Sequence, residues 1–223
     1  MESKQQKQFV KFVEQQCSRL VETNNLARLF KAFKRNYILV PLEVFGKNPY
    51  KTLVSTILSA RTKDEVTFEA SKRLFAIASN LKILSEIDIK LIEKTIYPVG
   101  FYKTKAKHLK QLAINLTGSE PVIVPRTREE LMKLPGVGRK TANLVLNRAF
   151  GIPTIAVDTH VHRISNFLGI VKTKTPEQTE KELLKVIPKK YWPELNRLFV
   201  SIGRQYPTNK KLEIFLKKEK LIN

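Results

Sequence analysis

The amino-acid sequence predicts an all-α protein, on three observations. Apolar residues recur at helical spacing along nearly all of its 223 residues, in runs separated by short Pro, Gly or Asn breaks. Only two segments read as extended, PVIVP at 121–125 and PTIAV at 153–157, and they are too few and too short for a sheet. Hydrophobic residues make up 42% of the chain, enough for an ordinary buried core, and no repeat or low-complexity linker breaks the pattern.

Taken in order, FVKFVEQQCSRLV and LARLFKAF are the first expected helices. NPYKTLVSTILSA starts another, with Asn48 as cap and Pro49 at the first position, where a missing N–H does no harm. DEVTFEASKRLFAIA continues the period, DIKLIEKTIY stops at Pro98, and FYKTKAKHLKQLAINLTG follows with four lysines. TREELMKL pairs Thr127 with Glu130 in a capping box and should run to about Leu134, where Pro135 and Gly136 break it. Gly138 then permits a tight turn, and Ala142, Val145, Leu146, Ala149 and Phe150 keep helical spacing until Gly151 and Pro153. The product is a helix, a two-glycine hairpin and a helix. For the tail, TNKKLEIFLKKEKLIN, packing by Leu212, Ile214, Phe215, Leu216, Leu221 and Ile222 stands beside a disordered basic end.

Charge narrows the partners. Lys plus Arg number 41 against 20 Asp plus Glu, a net +21 that exceeds what solubility asks and calls for a polyanion. Nucleic acid comes first, since neutralising phosphates releases counterions, and a membrane surface second. No run approaches the roughly 18 apolar residues of a spanning helix, and MESKQQKQFV lacks the apolar core of a signal peptide, so an intracellular protein is expected. The single cysteine, Cys17, excludes an internal disulfide and a cysteine-ligated zinc or iron–sulfur site. His160 and His162 are two apart and meet no third ligand at a metal spacing, which argues against transition-metal catalysis and against the zinc deaminase pattern.

The hairpin carries the chemistry. Backbone N–H groups of Gly136, Val137, Gly138 and Arg139 at a helix N-terminus can take a phosphate without regard to base sequence. Walker A chemistry needs Gly-Lys-Ser/Thr and meets Arg139 before Lys140; the Rossmann fingerprint needs a third glycine and meets Thr141. Lys140, flanked by Arg139, opposes the helix dipole, which favours the neutral amine and a nucleophilic role; a solvated surface lysine is the plainer alternative. Asp158 stands between PTIAV and THVHRISNFLG, as a helix cap, as a charged partner to the amine, or as both.

The block LPGVGRKTANLVLNRAFGIPTIAVDTHVHRISN resembles the helix-hairpin-helix and Gly/Pro-rich loop with aspartate of the endonuclease III type DNA glycosylase/lyases. Weaker likeness runs from about Phe45 through TILSARTKDEVT and VGFYKTKAKHL to about Gly203. The resemblance implies a bifunctional enzyme of base excision repair, with Lys140 as Schiff-base nucleophile, Asp158 assisting base departure and β-elimination following. It implies two helical lobes, 44–152 and 1–43 plus 153–223, with a DNA-binding cleft between them. A damaged nucleotide must be flipped out of the stack, and VGFYK supplies the wedge: Phe101 with Val99 and Tyr102, beside Lys103, Lys105 and Lys107. Arg61 stands where the family commonly has a glutamine plug. His160 is placed to support Asp158, and a monovalent cation at the hairpin carbonyls near Val137 is a further family feature. Where most members begin four cluster-ligating cysteines, this chain has Pro207, so a branch without the iron–sulfur cluster is expected. The expected partner is double-stranded DNA holding a damaged base or abasic site, bound by a monomer, with oxidised pyrimidines as substrates. A uracil or thymine mismatch glycosylase, and a non-catalytic helix-hairpin-helix module, are the alternatives.

Overall fold

The computed structural model describes residues 23–118 and 120–222; the first expected helix, with Cys17, lies outside them. Among the described residues are twelve α-helices, two short 3-10 helices and no strand. The chain divides into two compact units: Pro41–Ala156, and a second made from both ends, Met1–Val40 with Val157–Asn223.

Among the described residues the terminal unit begins with α1 (Thr23–Arg35). The central unit then runs through a 3-10 turn (Pro41–Phe45) to α2 (Pro49–Ser59), where the Lys51 N–H donates to Asn48 Oδ1 at 3.0 Å and Pro49 takes the first position. α3 (Asp64–Ile77), α4 (Leu81–Glu86), α5 (Ile89–Ile96), α6 (Tyr102–Thr117), α7 (Arg128–Met132) and α8 (Arg139–Phe150) complete it. α2 packs against α8 and α3, while α4 and α5 lie on α6. Leu53, Leu58, Leu74, Ile92, Leu109, Leu112 and Val145 are fully buried at these contacts, each stabilising the unit by about 1.5–3 kcal/mol.

Two sequence expectations change here. The helix after Thr127 stops at Met132, short of Leu134, because N–H groups of Lys133 and Leu134 reach back only three residues and tighten the turn. The two extended segments pair with no strand. Instead, α8 holds the second of them by side chains: Asn143 Nδ2 donates to Ile155 O (2.9 Å), Asn147 Nδ2 to Thr154 O (3.0 Å), and Thr154 Oγ1 to Asn143 O (2.7 Å). Backbone groups that a sheet would satisfy are satisfied by amides on one helix face.

The terminal unit continues with α9 (Thr159–Phe167), α10 (Pro176–Val186), α11 (Trp192–Gln205) and α12 (Asn209–Lys218). α11 packs on α9 and α1, and aromatic pairs knit the unit: Phe33 lies edge-on to Phe199 at 5.2 Å and Tyr206 stacks on Phe215 at 4.5 Å. The tail is therefore helical, capped by Thr208 and anchored by Leu212, Phe215 and Leu216. Ile214 departs from expectation: it sits on the opposite face of α12, 62% exposed. Among the described residues no helix is long and apolar enough to cross a membrane.

Candidate active site

The hairpin between α7 and α8 turns on Gly136, at φ +77°, a left-handed conformation that excludes most side chains. A Cβ at this position would also lie 2.9 Å from His108 Nδ1, so the glycine is required twice over. Gly138 serves differently. At φ −94° it is the N-cap of α8, gives no side-chain bond to the first turn, and has open space where a Cβ would stand. The helix N-terminus is left bare, facing outward beside exposed backbone, which is the geometry that accepts a phosphate. One expected donor is withdrawn. Val137 N–H donates to Leu134 O at 3.1 Å, and the Val137 side chain packs in the core, so this residue shapes the turn and does not present its N–H outward.

Lys140 lies in the first turn of α8, exposed, with no hydrogen bond or ion pair for its ammonium among the described residues. A primary amine held on a rigid helix yet unpartnered is chemically available. Arg139, its neighbour, is half-buried.

A second surface of the same unit is built from two residues in the left-handed region, Arg61 (φ 51°) after α2 and Phe101 (φ 57°) as N-cap of α6. Non-glycine residues held there cost about 1 kcal/mol or more each, so the surrounding structure must impose them. Phe101 is 63% exposed, and the Arg61 guanidinium sits 5.6 Å from its ring centroid. The two loops interlock: Gly100 N–H donates to Thr62 Oγ1 at 3.1 Å, and a Cβ on Gly100 would come within 2.6 Å of Arg61 O. Tyr102 is half-buried with its ring edge-on to Tyr97 at 5.4 Å, and Lys103 is exposed.

Two residues expected in this surface are elsewhere. Val99 is 1% exposed and belongs to the core, because the turn before α6 points it inward while Phe101 points out. Lys105 is also buried, at 6% exposure, and its ammonium donates to Leu58 O (2.7 Å), Ala60 O (2.5 Å) and Thr62 Oγ1 (3.1 Å). It holds the C-terminal end of α2 and offers nothing to a phosphate. Burial pulls its pKa down from 10.5 to about 8.

Sequence reasoning missed His108 and Thr104. With Phe101 and Lys105 they follow the i, i+3, i+4, i+7 pattern of one face of α6, and with Arg61 and Gly136 they line a cavity of about 260 Å³ that joins the wedge loop to the hairpin. That spacing was the available signal. A larger cavity of about 570 Å³, lined by Tyr50, Leu81, Ile123 and Phe150 among others, shares no residue with it.

In the terminal unit, Asp158 is the N-cap of α9, its Oδ1 accepting from Val161 N–H at 2.9 Å. Oδ2 makes no hydrogen bond among the described residues. His160 packs its ring against Gly203 of α11, so closely that a Cβ there would lie 2.5 Å from Nδ1. His162 joins a separate network through Thr179 Oγ1 at 2.6 Å and Asn166. No group of three His, Cys, Asp or Glu among the described residues could hold a metal ion.

A bare helix N-terminus behind a two-glycine turn, an unpartnered lysine on that helix and an aspartate cap one segment later make up a helix-hairpin-helix site. The chain belongs to the HhH-GPD superfamily of base excision DNA repair proteins, matched over residues 54–189. It is 45% identical to endonuclease III of Thermotoga maritima over 181 residues, covering 81% of this chain and 82% of that protein. Among solved structures it is similar to a trapped endonuclease III–DNA covalent intermediate (TM-score 0.70, 32% identity, covering 93% of this chain and 89% of that one). A thermostable thymine-DNA glycosylase shares the fold at TM-score 0.74 and 21% identity, covering 87% and 88%.

Proposed function

We propose that this base excision repair glycosylase/lyase frees oxidised pyrimidines from duplex DNA through Lys140. The observation that carries the reading is the exposed, unpartnered Lys140 ammonium in the first turn behind the bare hairpin. In its neutral form Nζ attacks C1′ of the flipped nucleotide; the C1′–N bond breaks and the base leaves with its electron pair and a proton. The C1′–O4′ bond then opens, O4′ taking up a proton, and the resulting iminium acidifies C2′, whose proton is lost as the C3′–O bond breaks, releasing the 3′ strand with its 5′-phosphate. Water then hydrolyses the imine and returns the amine.

Asp158 supports base departure with the carboxylate oxygen that α9 does not use, electrostatically stabilising the positive charge that grows at C1′. Gly136, Gly138 and Arg139 hold the backbone; Arg61 and Phe101 fill the space the flipped base vacates, with Tyr102 and Lys103 flanking. His160 steadies the first turn of α9. The endonuclease III–DNA covalent intermediate, whose fold this chain shares, supports this reading.

The enzyme acts as an intracellular monomer and without an iron–sulfur cluster, since Cys17 is its one cysteine. A monovalent cation at the hairpin carbonyls near Val137 belongs to the same proposal. Borohydride trapping on duplexes with thymine glycol, uracil or an abasic site tests the core of it. An adduct on thymine glycol that disappears in Lys140→Gln is expected. Trapping on uracil alone would move the substrate to the mismatch class, and adduct formation by Lys140→Gln would move the nucleophile elsewhere.

A further inference from the structure

Lys105 is the most unusual charged residue in the described structure. It comes from a lysine-rich run that reads as a DNA-facing surface, yet its ammonium is buried and meets no carboxylate. All three of its N–H donors are taken, by the carbonyls of Leu58 and Ala60 and by Thr62 Oγ1. Two of these acceptors are carbonyls at the C-terminal end of α2, where a helix leaves oxygens unsatisfied and its dipole favours a cation. Burying a lone ammonium is costly even so, as its lowered pKa records, and an apolar side chain would fill the same space without that penalty.

What the charge holds together is specific. Lys105 is four residues into α6 from Phe101, and the carbonyls it binds flank the exit of α2 into Arg61. Thr62 Oγ1 accepts both from Lys105 Nζ and from Gly100 N–H, so one hydroxyl links the wedge loop, the plug loop and the lysine. The two left-handed residues that carry the exposed Phe101 and Arg61 side chains are thereby fixed relative to one another.

We propose that Lys105 is a positioning residue for base flipping: by tying the end of α2 to the start of α6 it sets the Arg61–Phe101 pair in the arrangement that enters the duplex. The proposal rests on the glycosylase/lyase reading above and assigns Lys105 no contact with DNA. It separates two steps. Opening an intact pair needs the wedge and plug together; chemistry on a nucleotide that is already unpaired needs Lys140 and Asp158.

The test compares single-turnover excision of thymine glycol in a matched pair with excision of the same lesion inside an unpaired bubble, for wild type, Lys105→Met and Thr62→Val. Lys105→Met keeps the stem and removes the donors. Thr62→Val keeps the shape and removes the shared acceptor, and carries the test if the first variant fails to fold. The expected result is a loss of about tenfold or more on the matched duplex with the bubble substrate within about threefold of wild type, and borohydride trapping on a pre-formed abasic site retained. Equal losses on both lesion substrates would make Lys105 a stability element only and overturn the proposal, as would no loss on either. Wild-type protein that traps on no substrate would instead sink the glycosylase/lyase reading itself.

Discussion

The two hairpin glycines should respond in opposite ways to the same methyl group. Gly136→Ala forces an L-residue to φ +77°, at about 1–2 kcal/mol. Its Cβ would meet His108 Nδ1 at 2.9 Å and His108 Cβ at 3.2 Å; the ring can swing aside, but the Cβ must yield by a few tenths of an ångström. Against this stands the roughly 0.4–1 kcal/mol by which alanine restricts the unfolded chain. With crowding at His108 adding on the order of 1 kcal/mol, the net expectation is a destabilisation of about 1–2 kcal/mol, or about 2–8 °C in Tm for a chain of this size. Gly138→Ala places its methyl in open space at φ −94°, where the same restriction of the unfolded chain is offset by alanine's poorer N-capping, so stability should change by less than about 0.5 kcal/mol. That methyl stands at the bare N-terminus of α8, where a phosphate would approach, and DNA affinity should fall about tenfold, or about 1.4 kcal/mol. Thermal melting and a fluorescence-anisotropy titration with duplex DNA check the pair. A Gly136→Ala protein that melts with wild type would refute the steric argument, and a Gly138→Ala protein that binds DNA as wild type does would remove the hairpin from the phosphate contact.

Asp158→Asn keeps a capping oxygen and should leave Tm within about 2 °C while slowing base release; Asp158→Ala should also lose about 1 kcal/mol of stability, so melting and single-turnover excision together separate cap from charge. Phe101→Ala removes an exposed ring and should leave stability nearly unchanged, while excision from matched duplex falls more than cleavage at a pre-formed abasic site; parallel losses would end the wedge assignment. Lys105 predicts a pH effect on stability. Its pKa is about 8 when folded and near 10.5 when unfolded, so the unfolded chain binds the proton more tightly and the penalty of the buried ammonium is fully present below about pH 8. Between pH 8 and 10.5 wild type should gain on Lys105→Met by at most about 1.4 kcal/mol per pH unit in urea unfolding, and a constant gap would contradict it.

Much of the local structure was legible because it depends on neighbours in sequence. Asn48 before Pro49, Thr127 before Glu130 and the two glycines before Lys140 act within four residues, and periodicity shows the helices between them. What was not legible depends on partners far along the chain. Nothing near Lys105 announces that the carbonyls of Leu58 and Ala60 await it, so the sequence places it with Lys103 in the DNA-facing wedge loop. The helical spacing of Phe101, Thr104, Lys105 and His108 could have shown that these four share a face, though not which of them turns inward. PTIAV looked like a strand because its residues favour extended backbone; that Asn143 and Asn147 would take the place of a partner strand is a tertiary fact. α4, six residues long, is too short for periodicity to reveal.

The terminal unit draws on both ends of the chain: Phe33 of α1 rests on Phe199 of α11 and Phe215 of α12. During synthesis, therefore, α1 emerges before the central unit yet meets α11 and α12 only after that unit has been made, while Pro41–Ala156 can close on itself earlier. At roughly 5–20 residues per second, α1 waits on the order of ten seconds or more for α11 and α12. A chain cut short after Ala156 would hold the hairpin and Lys140 in a completed unit but lack Asp158. The order of translation thus completes the unit that carries Lys140 before Asp158 is made, and makes α11 and α12 the pieces that release α1 from waiting.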